Sequence, residues 1–331
     1  MVMDDMQNQL NKYYEKARIS PVKNTGNFND MFNEFGCPMK KDCRSAAALN
    51  GVESFIFAPR TEGVDVSKYY ADGEYKGDRI PRIVVISLSV PRPDISTAKN
   101  EACSQTRKVQ NYHWPETLMT VRSLLCPFVS PEKFPKPELI EKLFVHIRTA
   151  KCCSNAKGGT QEHGRMYENC GKYLGEEVRI LEPDVIVTQG NYAHWQAGKH
   201  VFKKNAANIM VEEVEGIDDS IARIVDLKEN SRSVYWLRTR FPTPLYGHMK
   251  KWHEQAGPEV KIESTIEGEV RKNLVRYGEQ IKKYLQSRQW LSELDWENWD
   301  RQIEADSESG KLDFLIAEAF EAKEKGALKE L

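Results

Sequence analysis

The residues best placed to do chemistry in this chain are cysteines. The stretch KCCSNAKGGTQEHGRMYENC, residues 151–170, holds Cys152, Cys153 and Cys170, three of the seven cysteines present. Cys37 and Cys43 form a C-x5-C pair, and Cys170 follows Cys153 or Cys152 with C-x16-C or C-x17-C spacing. A zinc ribbon uses two C-x2-C pairs, and this spacing is different. Iron–sulfur clusters take four thiolates from less regular loop positions. The competing reading is a set of free, partly buried thiols, which suits Cys103 and Cys126. The N-terminal stretch MVMDDMQNQLNKYYEKAR is polar and has no apolar centre, so it does not read as a secretory signal. A cytoplasmic, reducing compartment is therefore expected, and there a cysteine group indicates metal more often than disulfide.

The rest of the chain must position those thiols. Its 40% hydrophobic and 29% charged residues are ordinary for a globular protein. No run of about eighteen apolar residues exists, so no membrane span is expected. The net charge of -1 is unevenly spread. From Leu291 onward, twelve acids face five bases, which leaves +6 on the first 290 residues. The acidic end should avoid nucleic acid, whereas the main body can approach it.

Apolar, β-branched runs mark four buried strands: RIVVISL from Arg82, KLFVHIRTA from Lys142, DVIVTQG from Asp184 and VYWLRTRFP from Val234. Helical spacing appears between them, in PETLMTVRSLLCPF, NCGKYLGEEVRILEPD and NYAHWQAGKHVF. Alternating strands and helices with short loops predict an α/β fold with a four-stranded, mostly parallel sheet and helices on both faces, a three-layer α/β/α arrangement. Residues 1–258 read as this domain. Residues 259–331 read as an acidic helical extension, in which Trp290, Trp296 and Trp299 offer packing or partner surface.

Residues 170–198, CGKYLGEEVRILEPDVIVTQGNYAHWQAG, resemble the iron–sulfur uracil-DNA glycosylases, families 4 and 5 of that superfamily. The shared pattern is C-x-x-[YF]-L-x-x-E-[LV]-x-[LI]-L-x-P followed by VIVxxGxxA. Cys170, Tyr173, Leu174, Glu177, Val178, Leu181, Pro183, Val185, Ile186, Val187, Gly190 and Ala193 fit it. The resemblance spans roughly residues 30–255 and is loose outside 170–198. It implies a [4Fe–4S] cluster held by Cys37, Cys43, Cys170 and one of Cys152 and Cys153. Lys151-Cys152 fits the family's basic-residue-plus-cysteine dipeptide, while Cys153 fits its spacing. The implied role of the cluster is structural, clamping the loops that flank a DNA-binding face.

A DNA glycosylase extrudes a base into a pocket. It then stabilises an oxocarbenium-like sugar and aims a water at it, tasks suited to a carboxylate. In sheets of this kind such groups lie at the carboxyl ends of the strands. The family's first motif, GEAPG, aligns with SLSVPRPD, where Leu88 stands in place of the acid and Asp94 is the first carboxylate. Asp94 is thus the catalytic candidate; its bland alternative is a loop or helix-cap residue. The family's uracil-reading asparagine falls on Arg148 or Thr149. Its HPS motif becomes TRFPT, with Phe241 for the histidine and Thr243 for the hydroxyl; His248 is a possible substitute. Tyr112 and His113, beside Trp114, are candidates to stack on the flipped base. Ser89 and Asn191 are polar groups at strand ends. Local cations such as Arg92, Arg240 and Lys250 would meet phosphates.

The altered motifs imply a pocket for something larger or more polar than uracil. The expected activity is hydrolytic excision of a modified pyrimidine, such as hydroxymethylated or glucosylated cytosine in phage DNA, by a monofunctional enzyme acting as a monomer in antiviral defence. The alternatives are a non-catalytic reader of modified or damaged DNA, a uracil-DNA glycosylase of base-excision repair, and a structural iron–sulfur protein acting on a protein partner.

Overall fold

The structure, a computed structural model, describes residues 3–23, 25, 27–48, 57–60, 63–87, 113–154, 164–203, 209–210, 221–228, 232–239 and 271–288. The chain divides into two compact units, Met1–Ile281 and Lys282–Leu331. Only residues 282–288 of the second are described; they are helical, with Ser287 Oγ donating to Tyr284 O at 2.8 Å.

The first unit opens with α1 (Met3–Ala17), α2 (Phe28–Glu34) and α3 (Lys40–Ala48). Met6, Leu10 and Tyr14, one per helical turn, bury the inner stripe of α1. The short strand β1 (Phe57–Pro59), α4 (Lys68–Asp72) and the two-residue strands β2 (Glu74–Tyr75) and β3 (Asp78–Arg79) lead into β4 (Ile83–Ser87). Next come α5 (His113–Leu125), α6 (Pro137–Ile140), β5 (Phe144–Arg148) and β6 (Cys152–Ser154). Helices α7 (Gly164–Gly171) and α8 (Leu174–Leu181) precede β7 (Val185–Gln189) and α9 (Asn191–His200). The strands β8 (Ile209–Met210), β9 (Ile221–Asp226) and β10 (Ser233–Thr239) follow, and helix α10 covers residues 271–288.

The central sheet has the order β5-β4-β7-β10-β9-β8. The four expected strands, β4, β5, β7 and β10, are all present and mutually parallel. The expected count of four is corrected to six, because β9 pairs antiparallel with β10 and β8 antiparallel with β9. IARIVD, the β9 sequence, carries Arg223 and Asp226 on a partly exposed strand, so it lacks the continuous apolar run that marks a central one. A separate antiparallel ladder joins β1 to β6 and sets Cys152 opposite Pro59.

Both faces of the sheet are buried. Val84, Ile86, Val145, Ile147, Ile186, Val234 and Trp236 join one core with residues of α1, α7, α8 and α9. Ile83, Val85, Phe144, Val185, Val187, Tyr235 and Leu237 alternate to the other face, and Val121, Leu124, Leu125, Leu274, Tyr277 and Ile281 are buried outside that first core. Tyr235 reaches α10 directly, donating from its hydroxyl to Gln280 Oε1 at 2.8 Å. Among the described residues no helix is long and apolar enough to cross a membrane.

Candidate metal centre and the carboxyl end of the sheet

Four cysteines from three chain segments, 37–43, 152 and 170, share the first core. Cys37 precedes α3, Cys43 lies within it, Cys152 begins β6 and Cys170 closes the last turn of α7. All four are buried. Each thiol lies within electrostatic reach of the other three. Cys126 belongs to no such group and sits part-buried at the end of α5. Cys153 is the next residue of β6, paired with Ala58; its side chain falls outside the described set. Cys103 also lies outside the described residues.

Burial pushes the Cys170 thiol up to about 12 and raises those of Cys152 and Cys43, with the neighbouring thiols adding to each. Thiols raised in this way do not readily ionise on their own. A cationic centre reverses that balance, since a coordinated thiol is deprotonated outright. Donors already face two of the sulfurs. Asn169 Nδ2 donates to Cys43 Sγ at 3.2 Å and the Lys151 amide to Cys170 Sγ at 3.5 Å. Burial, then the Cys37 and Cys170 thiols nearby, raise the Tyr173 hydroxyl well above its ordinary value. Among the described residues no three His, Cys, Asp or Glu side chains form a close single-ion group. Four soft sulfur donors, two of them with N–H···S partners, are of the kind that iron–sulfur clusters and zinc both take.

Beneath the thiols lies a buried ion pair. Lys151 Nζ donates to both oxygens of Glu177, at 2.7 and 2.8 Å, and to Arg148 O at 2.6 Å. Lys151 is 2% exposed and Glu177 fully buried. The Tyr14 hydroxyl donates to Glu177 Oε1 at 2.8 Å, and the Arg60 guanidinium sits 4.0 Å over the Tyr14 ring. Burial lowers the Lys151 ammonium, and Glu177 opposes that shift. Tyr173 thus lies near Cys37 and Cys170, and Glu177 holds the lysine next to Cys152. Gly171 is glycine because α9 lies against it; a Cβ there would stand 1.9 Å from Gln196 Oε1.

The second candidate region is the carboxyl end of the sheet. From β4 the chain steps to β5 on one side; β7 and β10 lie on the other. The topological switch point is therefore between β4 and β7, where such sheets open a crevice. Their pairing stops at Ile86 opposite Thr188. The next residues turn to outer partners: Thr149 N donates to Ser87 O at 2.9 Å, and Gly190 N to Thr239 O at 3.1 Å. Ser87 and Gln189 thus stand at the carboxyl ends of the two switch-point strands. Gly190 makes the turn into α9 with φ 87°, a conformation glycine adopts without strain.

Gln189 is buried, and its Oε1 accepts from Thr117 Oγ1 of α5 at 2.9 Å. Ser87 Oγ is 2.6 Å from His146 Nε2, and the His146 ring centroid is 5.3 Å from that of Trp114. Glu116, one residue before Thr117, is a buried carboxylate in the first turn of α5. Sequence reasoning named none of Ser87, Glu116, Gln189 and His146 individually. Gln189 carried the clearest signal, as the polar last residue of an otherwise apolar strand.

Of the residues expected at this end, Arg148 closes β5, half-buried. Thr149 follows it, buried, with Oγ1 donating to Ser87 O at 3.1 Å. Asn191 is exposed at the start of α9. His113 begins α5, its side chain outside the described set, and Trp114 packs on Phe144 at 5.8 Å between centroids. Ser89, Asp94, Tyr112, Phe241, Thr243 and His248 lie outside the described residues, as do Arg92, Arg240 and Lys250. Compared with known proteins, the chain matches no protein-family model and no curated sequence.

Proposed function

We propose that this chain is a three-layer α/β/α DNA glycosylase with a [4Fe–4S] cluster on Cys37, Cys43, Cys152 and Cys170 and an acidic helical extension over residues 259–331. Its reaction is the hydrolytic excision of a modified, non-uracil pyrimidine, such as hydroxymethylated or glucosylated cytosine in phage DNA, leaving an abasic site. One observation carries the reading: four buried cysteines from three segments share the core on one face of a mostly parallel sheet, and polar side chains stand at the carboxyl ends of its switch-point strands. The cluster, when bound, supplies cross-linking of α3, α7 and β6.

At the crevice, the Gln189 amide is the group suited to hydrogen-bond the edge of an extruded base, held by Thr117. Asp94 follows β4 in sequence as the carboxylate to balance sugar charge and orient water. Glu116 brings a second carboxylate to the same end of α5. His146 is placed to hold the Ser87 hydroxyl at the crevice rim. A hydroxymethyl or glucosyl substituent needs hydroxyl-binding partners, and Ser87, Thr149 and Arg148 are of that kind.

The test is to incubate the purified protein with duplexes carrying uracil, hydroxymethylcytosine or glucosylated hydroxymethylcytosine and then to detect abasic sites. Abasic sites on a modified-cytosine duplex support the reading. Sites on uracil alone make it a repair enzyme, and DNA binding without abasic sites on any duplex makes it a reader.

A further inference from the structure

The outer face of α9 reverses the usual arrangement of an α/β helix. Its small residues, Ala193 and Ala197, are fully buried, while its largest, Tyr192 and Trp195, are 48% and 49% exposed. Buried positions ordinarily take the bulky apolar side chains. The two aromatics are three residues apart, so they are neighbours on one helix face. They are also held. Tyr192 stacks on Tyr167 of α7, with centroids 4.7 Å apart and planes 15° from parallel, and Tyr167 is itself buried. Lys199 Nζ stands 5.2 Å from the Trp195 ring centroid. Lys228 Nζ donates to Lys199 O, which brings a second cation to that end of the helix. No acidic residue occurs between Asp184 and Glu212, whereas Lys199, Lys203 and Lys204 fall in that interval. On the neighbouring α7, Glu168 is matched by Arg165 at 3.3 Å.

We propose that Tyr192 and Trp195 form a stacking platform for the bases of an unpaired DNA strand, with Lys199 meeting its phosphates. Exposed rings beside cations, on a stretch free of acids, are what sequence-tolerant single-strand binding uses. The platform belongs to the helix that starts at the switch-point crevice, so it would receive the strand opened when a nucleotide is extruded there. This rests on the glycosylase reading above. It adds a binding surface and a preference for opened over closed DNA. It also links the platform to the cysteines, because Tyr167, which backs Tyr192, lies one turn before Cys170 on α7.

The test is a titration of the full-length protein with oligodeoxythymidine and with an unmodified duplex of equal length, followed by tryptophan fluorescence. Tyr192→Ala and Trp195→Ala should each weaken single-strand binding roughly 5- to 100-fold, the loss expected for one stacked base. Both should leave duplex binding within about twofold, and Tyr192→Phe should restore affinity. Lys199→Ala should lower the slope of log affinity against log salt by about 0.7. Unchanged single-strand affinity in both alanine variants overturns the platform, as does equal loss on duplex. An oligoribonucleotide bound more tightly, with the same losses, overturns the assignment to DNA. If the alanine variants bind single strands normally and the wild type still excises a modified base, the inference fails while the proposed function stands. If the wild type binds no DNA at all, that function fails too.

Discussion

Replacing Lys151 by methionine tests the buried framework behind the cysteines. Methionine keeps the volume of the side chain and removes its charge. The Glu177 carboxylate, fully buried, would then keep only the Tyr14 hydroxyl at 2.8 Å of the partners described here. Leaving one member of a buried pair without its countercharge costs about 3–5 kcal/mol. Glu177→Leu should cost a similar amount, since it strands an ammonium 2% exposed. Joint replacement by Lys151→Met and Glu177→Leu removes both charges, and such exchanges are often near neutral. The freed Tyr14 hydroxyl should hold the double variant about 1–2 kcal/mol below wild type. The coupling between the sites is therefore at least about 4 kcal/mol. Urea titration followed by far-UV circular dichroism reads these differences, and each single variant should also melt roughly 6–20 °C lower. Single variants within about 1 kcal/mol of wild type and additive in combination would refute the argument that a paired lysine fixes Cys152 in place.

Other outcomes follow from separate contacts. Thr188 Oγ1 accepts from Trp236 Nε1 at 2.8 Å and lies 2.7 Å from His194 Nδ1. Burial, aided by Arg238, lowers the His194 pKa from 6.5 to about 4. The unfolded chain therefore takes up this proton first. Stability should fall by up to about 3 kcal/mol as pH drops from roughly 6.5 to 4, and His194→Gln should flatten that part of the pH–stability profile. Gly278→Ala would set a Cβ 2.5 Å from the Leu124 carbonyl oxygen. In a free helix that exchange stabilises by about 1 kcal/mol, but here denaturant titration should show a loss of about 1–3 kcal/mol. Cys152→Ser should abolish the broad absorbance near 400 nm expected of an iron–sulfur protein. Cys153→Ser should keep it, and the opposite result would move the ligand to Cys153.

The parallel strands were legible because burial on both faces demands unbroken β-branched runs, as in IVVIS of β4 and VIVTQ of β7. The two antiparallel additions were not, because a partly exposed strand such as β9 tolerates charges that break the pattern. The choice between Cys152 and Cys153 could not be read from spacing. What favours Cys152 is its burial within reach of the Cys37, Cys43 and Cys170 thiols, a long-range placement that no spacing contains. Gln189 fell within the expected strand DVIVTQG, at its carboxyl end; only the strand order sets it across from Ser87 of β4. In α9, NYAHWQAGKH gave a helix, but not that its alanines face inward and its aromatics outward.

The central claim is that a modified base is cut from DNA. Its most direct test is mass-spectrometric detection of free base after incubating the protein with DNA containing glucosylated hydroxymethylcytosine. The account predicts release of the intact glucosylated base, matched by abasic sites in the strand. Stable DNA binding with no free base from this substrate, from hydroxymethylcytosine or from uracil would contradict it.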